Sequence, residues 1–199
     1  MTMDSAKPQR LKWLGSNLVL GLLVTVLSVF TAVANYATYV VGGNASSLET
    51  EGDRLLADAN TSYISASQFV IVDYTMYDSY YTNFDTNADA ADYYRSLFSD
   101  SLQSSVDRDA PFDQQYYDAM YADSDAKFDE AFAKFDLANA EGERESGYQL
   151  AMLVAAVGLA FAAYASLLDE ANRLRQVFAL LSLIMLMLSL GQLLMVAMT

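Results

Sequence analysis

Hydrophobic positions along the chain fall into two regimes. Trp13 to Val41, Gln149 to Leu168 and Gln176 to Thr199 carry no charged residue at all. A bilayer core about 30 Å thick is crossed by roughly 20 apolar residues of helix, so each stretch is long enough to span. The pattern predicts three transmembrane helices, at 15–41, 149–168 and 176–199. Between the first two, the apolar positions instead recur three and four residues apart, as on one face of an amphipathic helix.

That second regime starts at Leu48 and continues through Leu55, Ala59, Tyr63, Ala66, Val70, Tyr74, Tyr77, Tyr81 and Phe84. It has the heptad spacing of a coiled coil and predicts a helix over about 45–84, some 60 Å long at about 1.5 Å per residue. Thr82-Asn83 and Asp85-Thr86-Asn87 are turn and capping residues, so the helix should reverse there. A shorter helix is expected over 88–107, with Ala91, Tyr94, Phe98, Leu102 and Val106 on one face. Asp109-Ala110-Pro111 then reads as a new start, with Asp as cap and Pro in the first turn. Ala126-Lys127-Phe128-Asp129 repeats seven residues on as Ala133-Lys134-Phe135-Asp136, which returns each phenylalanine to nearly the same face, beside Phe132 and Leu137. This helix should run from about 111 into the second span, with Gly142 and Gly147 as its bending points.

The expected fold is therefore an all-α membrane protein: three transmembrane helices plus an elongated extracytoplasmic helical bundle. Residues 1–14 form a cytoplasmic N-terminus, 42–148 the bundle and 169–175 a cytoplasmic turn. Orientation follows from the basic residues, which resist translocation in short loops. Lys7, Arg10 and Lys12 precede the first span, and Arg173 and Arg175 sit in the turn. Ala32-Val33-Ala34 imitates a signal-peptide cleavage site, but the apolar run continues beyond it to Val41, so an uncleaved anchor in the cell membrane is expected.

Charge sharpens the reading. The segment 42–148 holds 22 of the 25 acidic residues against six basic ones. Such a surface repels nucleic acid and anionic headgroups, and it suits a saline medium or a cationic partner. A thin bundle favours seam residues with an apolar body and a polar end, and tyrosine fits. Tyr74, Tyr77, Tyr81 and Phe84 are placed on the seam, with Asp73 and Tyr80 at its edge and Asp78 and Asp85 outside. Tyr74, Tyr77, Tyr80 and Tyr81 are the candidate recognition residues.

Chemistry is sparse. The chain has no histidine and no cysteine, which removes the usual transition-metal and haem ligands. Asp85-Thr86-Asn87-Ala88-Asp89 resembles the start of a calcium loop, but Ala90 replaces the turn glycine and Ser96 the bidentate glutamate. It leaves room for weak surface cations only. With no phosphate-binding loop and no nucleophile beside a histidine, neither an enzyme nor a cofactor is expected. The spans carry no ionisable residue of the kind that marks ion paths. They do carry small residues that permit close helix approach: Gly158, Ala162 and Ser166 in the second span, Gly21, Thr25, Ser28, Ala32 and Asn35 in the first, and Ser182, Ser189 and Gln192 in the third. These faces either pack on one another or meet another subunit.

The plan of one span, an acidic helical hairpin and a close pair of spans resembles uncharacterised three-span bacterial membrane proteins, a likeness that implies no activity. Residues 15–168 also resemble, in architecture, the input half of chemoreceptors and sensor kinases. With so little cytoplasmic chain, a signal would have to pass to a separate protein. The function expected is a structural or accessory subunit of a membrane assembly, partnered by other membrane subunits, a second copy and the bilayer. The alternative is an extracytoplasmic sensor or binding protein.

Overall fold

The structure, a computed structural model, describes residues 13–170 and 172–198. Lys7, Arg10, Lys12 and Thr199, used above for topology, lie outside the described residues. Every regular element among the described residues is helical, a single 3-10 turn at 13–15 followed by α1 Asn17–Asn83, α2 Ala88–Arg95, α3 Asp100–Asp107, α4 Gln114–Leu167 and α5 Arg173–Met198. Three of them, α1, α4 and α5, are long and apolar enough to cross a membrane. Only 17% to 28% of their most apolar windows is buried within the chain. The exposed remainder is far more apolar surface than a water-soluble monomer leaves open, which fits a membrane protein.

The chain divides into two compact units, residues 1–46 with 138–199, and residues 47–137. In the first, α1, α4 and α5 pack through positions seven residues apart: Leu20, Leu27, Ala34 and Val41 on α1, Ala151, Gly158 and Ala165 on α4, Arg175, Ser182, Ser189 and Val196 on α5. A seven-residue repeat keeps one narrow stripe of each helix facing its neighbours. Ala151, Ala155, Ala162 and Ala165 are fully buried, so the backbones meet with little side chain between them.

In the second unit α1 and α4 run antiparallel, as the pairings Tyr74 with Tyr117, Ser62 with Lys127 and Glu51 with Lys134 require. Their seam keeps Ala59, Ala66 and Val70 of the expected face but not its aromatic end at Tyr81 and Phe84. Buried positions again recur every seven residues, but they are small: Gly52, Ala59 and Ala66 on α1, Ser124 and Ala131 on α4. Phe132 and Leu137 are 55% and 54% exposed. The missing side chain at Gly52 is what admits the Phe135 ring to the seam: a Cβ there would lie 2.8 Å from it.

Large side chains gather where α2 and α3 cover the pair. Val70, Leu102 and Tyr116 form a core there, flanked by Tyr77, Phe98, Val106, Phe112, Tyr117 and Tyr121. The single helix expected over 88–107 is two. Asn87 caps α2 by accepting from the Ala90 amide, and Ser99 caps α3 by accepting from Leu102. The start of α4 is also shifted: Asp113, not Asp109, accepts from the Tyr116 amide at 2.8 Å. Asp109 and Phe112 instead adopt left-handed backbone, φ 55° and 59°. For a bulky residue such as phenylalanine that conformation is unusual, and it lays the Phe112 ring on Tyr74, centroid to centroid 4.1 Å.

Candidate functional site

The tyrosine-rich stretch of α1 is organised around Asp73, which the heptad of Gly52, Ala59 and Ala66 carries into the seam rather than to its edge. Its carboxylate is 2% exposed and accepts three hydrogen bonds: from the Ser99 amide at 3.0 Å, the Ser99 hydroxyl at 2.5 Å and the Tyr116 hydroxyl at 2.9 Å. A buried carboxylate persists only when its lone pairs are met in this way. Ser99 thus caps α3 while it anchors that cap to α1, and Tyr116 adds α4 to the same knot. Burial pushes the Tyr116 phenol well above its ordinary range, and the bond to Asp73 reinforces the shift.

Around this knot Tyr74 meets Tyr117, hydroxyl to hydroxyl at 2.5 Å, a bond that, with burial, pushes Tyr117 up to about 12. Tyr77 is enclosed by Tyr80, Tyr81, Phe98 and Phe112, and Tyr80 by Phe84 and Phe98. Tyr81 and Phe84, placed on the seam from the spacing, are instead 71% and 58% exposed, as is Tyr93 at 61%. Of the four candidate tyrosines, then, Tyr77 and Tyr80 pack, Tyr74 divides its surface between packing and solvent, and Tyr81 is free to meet a partner. The raised phenols of Tyr116 and Tyr117 serve as hydrogen-bonding groups within the cluster. No group of three or more acidic side chains is placed to hold a metal ion among the described residues.

Basic residues in this unit are largely occupied. Arg95 pairs with Asp107, Arg108 with Asp113, Lys127 with Asp123 and Lys134 with Glu51. Asp123 is lowered by the Lys127 bond and then by Ser62. Nineteen acids against five bases over 47–137 leave most carboxylates without such a partner.

In the other unit, Gly158 and Ala162 are spent within the chain. A Cβ on Gly158 would lie 2.8 Å from that of Met185, and Ala162 is fully buried beside Leu23 and Leu27. Ser166 is exposed and bonds back to the Ala163 carbonyl. The four-residue run drifts about 40° per step around a helix of 3.6 residues per turn, so its third member leaves the interface and Ala165 takes over. Ser182 and Ser189 are likewise buried. The first-span stripe is not: Gly21, Thr25, Ser28, Ala32 and Asn35 are all exposed, and nothing lies within 4 Å of a Cβ built on Gly21.

Arg175, read from sequence as a topology signal, is 3% exposed. Its guanidinium donates to the carbonyls of Gly15 and Leu168, both at 2.6 Å, and to the Asn17 side chain. It ties the starts of α1 and α5 to the carbonyl end of α4, where a cation is favoured by the helix dipole. The packing roles of Asp73 and Arg175 were missed because charged residues are read as solvated by default. For Asp73 the seven-residue step from Ala66 was the available signal.

Comparison with known protein families, curated proteins and solved structures returns no match for this chain.

Proposed function

We propose that the protein is a non-catalytic, three-span membrane subunit that acts by assembly. Residues 1–14 and the 169–175 turn lie in the cytoplasm, and the acidic helical unit lies outside. The observation that carries this reading is the exposed stripe on α1. A face of glycine, alanine, serine and threonine is what a second helix needs for close approach in lipid, and the faces of similar composition on α4 and α5 are already buried within the chain. The partner is another membrane subunit or a second copy that meets the α1 stripe; of the two readings open for the Gly158 face, internal packing or a subunit contact, its neighbours within the chain support the first.

The test is to extract the native membrane in mild detergent and weigh whatever travels with the chain. Gly21→Leu and Ser28→Leu should disperse a larger species while leaving helicity and insertion intact, because both positions are open in the monomer. A complex that survives both substitutions refutes the α1 interface. The exposed group of Tyr81, Phe84 and Tyr93 in an acidic setting supports a second reading, an outer surface that captures a cationic ligand or protein. Loss of that capture in Tyr81→Ser, with assembly unchanged, would favour it.

A further inference from the structure

Glu145 marks a site that shares only Asn35 with the assembly stripe and uses nothing of the acidic unit. On α1 the apolar run ends near Val41, and on α4 it begins at Gln149. Between them lies a groove of about 550 Å³ lined by Asn35, Thr38, Tyr39, Gly42, Asn44 and Glu145 among others. Its volume falls within the range of small-ligand sites. Gly42 brings the Glu145 carboxylate against the α1 backbone, since a Cβ there would lie 2.9 Å from the carboxyl carbon. Gly43 leaves the neighbouring space open, with nothing within 4 Å of a Cβ built on it.

The polar groups lining this groove are short of partners. Glu145 accepts one bond from the Gln149 side chain at 2.8 Å, and the adjacent cation, Arg144, is taken by Glu141 at 2.9 Å. Thr38 donates to the Ala34 carbonyl. Among the described residues neither Asn35 nor Asn44 makes a side-chain hydrogen bond. An exposed carboxamide inside an apolar span is costly unless something meets it. Tyr39 stands beside it, 78% exposed, as aromatic side chains do at a membrane interface.

A carboxylate and a phenol ring on one groove, with carboxamides further along it, suit a primary ammonium: it donates hydrogen bonds to Glu145, neutralises it and takes a cation–π contact. We propose that this groove binds the primary ammonium of a phospholipid headgroup, phosphatidylethanolamine in chemistry. The assignment rests on the reading of the first unit as membrane-embedded. The level of the groove on both helices, where apolar sequence gives way to polar, selects the lipid over a free amine.

The test is native mass spectrometry of the full chain, released from micelles containing equal amounts of phosphatidylethanolamine, phosphatidylcholine and phosphatidylglycerol. One phosphatidylethanolamine should be retained per chain, about tenfold over the other two. Glu145→Gln should erase that preference. Gly43→Leu should also erase it, by filling the groove at a position where the leucine meets no backbone, so the result does not hang on one variant. Equal retention of phosphatidylcholine or phosphatidylglycerol, or an unchanged preference in both variants, overturns the proposal. Displacement by soluble ethanolamine phosphate at the same concentration as the lipid would overturn the lipid source. Recovery of the chain in the soluble rather than the membrane fraction would sink the membrane reading itself, an outcome distinct from a membrane-bound chain without lipid preference.

Discussion

Replacing Asp73 tests the knot between α1, α3 and α4 most directly. Asp73→Ala removes the acceptor for three donors, of which the Tyr116 hydroxyl is buried and the Ser99 amide and hydroxyl are partly so. A hydrogen bond to a charged group contributes about 1.5–3 kcal/mol, and a buried donor left unmet carries its own penalty. Alanine recovers about 0.5 kcal/mol of helix propensity, so a net loss of about 3–5 kcal/mol is expected. Asp73→Asn keeps the shape but turns an amide donor toward another donor, and about half that loss should follow. The assay is unfolding of the full chain in detergent, followed by near-ultraviolet circular dichroism, which reads the tyrosine cluster. Hydrogen exchange at Ser99 and Leu102 should accelerate, because the α3 cap loses its anchor. In a double-mutant cycle with Tyr116→Phe, the two losses should overlap by about 1 kcal/mol or more. A loss for Asp73→Ala below about 0.5 kcal/mol, or strictly additive losses, would refute the account.

Other outcomes follow from the same geometry. Gly142→Ala adds a methyl to open space within α4 and should stabilise by about 0.5–1 kcal/mol, whereas Gly147→Ala drives its methyl into Val196 and should destabilise; the opposite order in a denaturation series would contradict the packing. Gly158→Leu should loosen the three-helix unit rather than merely release a partner, seen as faster exchange on α1 and α5. Tyr81→Ser should change stability by no more than about 0.5 kcal/mol, while Tyr77→Ser, which strips four ring contacts, should cost about 2 kcal/mol or more. In alkali, the folded state holds the Tyr116 and Tyr117 protons more tightly than the unfolded state, where phenols titrate near 10. Their stabilisation is complete below about pH 10 and declines as pH rises toward about 12, so the unfolding midpoint should fall across that window; a flat midpoint would count against both bonds.

Much of the architecture was legible because it rests on periodicity. Three uncharged stretches mark the apolar helices, and the turn residues at Thr82 to Asn87 mark the end of α1. The register of the seam was legible only in part: Ala59, Ala66 and Val70 stood on the expected face, Gly52 and Asp73 did not. Apolar scoring prefers Tyr81 and Phe84 to Gly52 and Asp73, yet close-packed helices select for small size, and a carboxylate can enter a seam when three donors await it. The split between α2 and α3 was hidden for a related reason, because Ser99 becomes a cap through Asp73, a residue 26 positions away. At the candidate sites, spacing named Gly158 and Ala162 as packing residues, but only their neighbours on α1 and α5 reveal that this packing is internal. The groove at Glu145 had no sequence signature, since it depends on an absence of side chains at Gly42 and Gly43.

The small-residue heptad of the acidic unit also makes its length discrete. Removing seven residues from α1 and seven from α4 would shorten the pair by about 10 Å and keep the buried seven-residue stripes of both helices facing each other. Removing three or four from α1 would set Phe69 or Tyr63 where Ala66 or Ala59 belongs. Drift in the length of this unit should therefore proceed in paired steps of two turns, and a designer wishing to set the reach of the acidic surface has a ruler with those graduations.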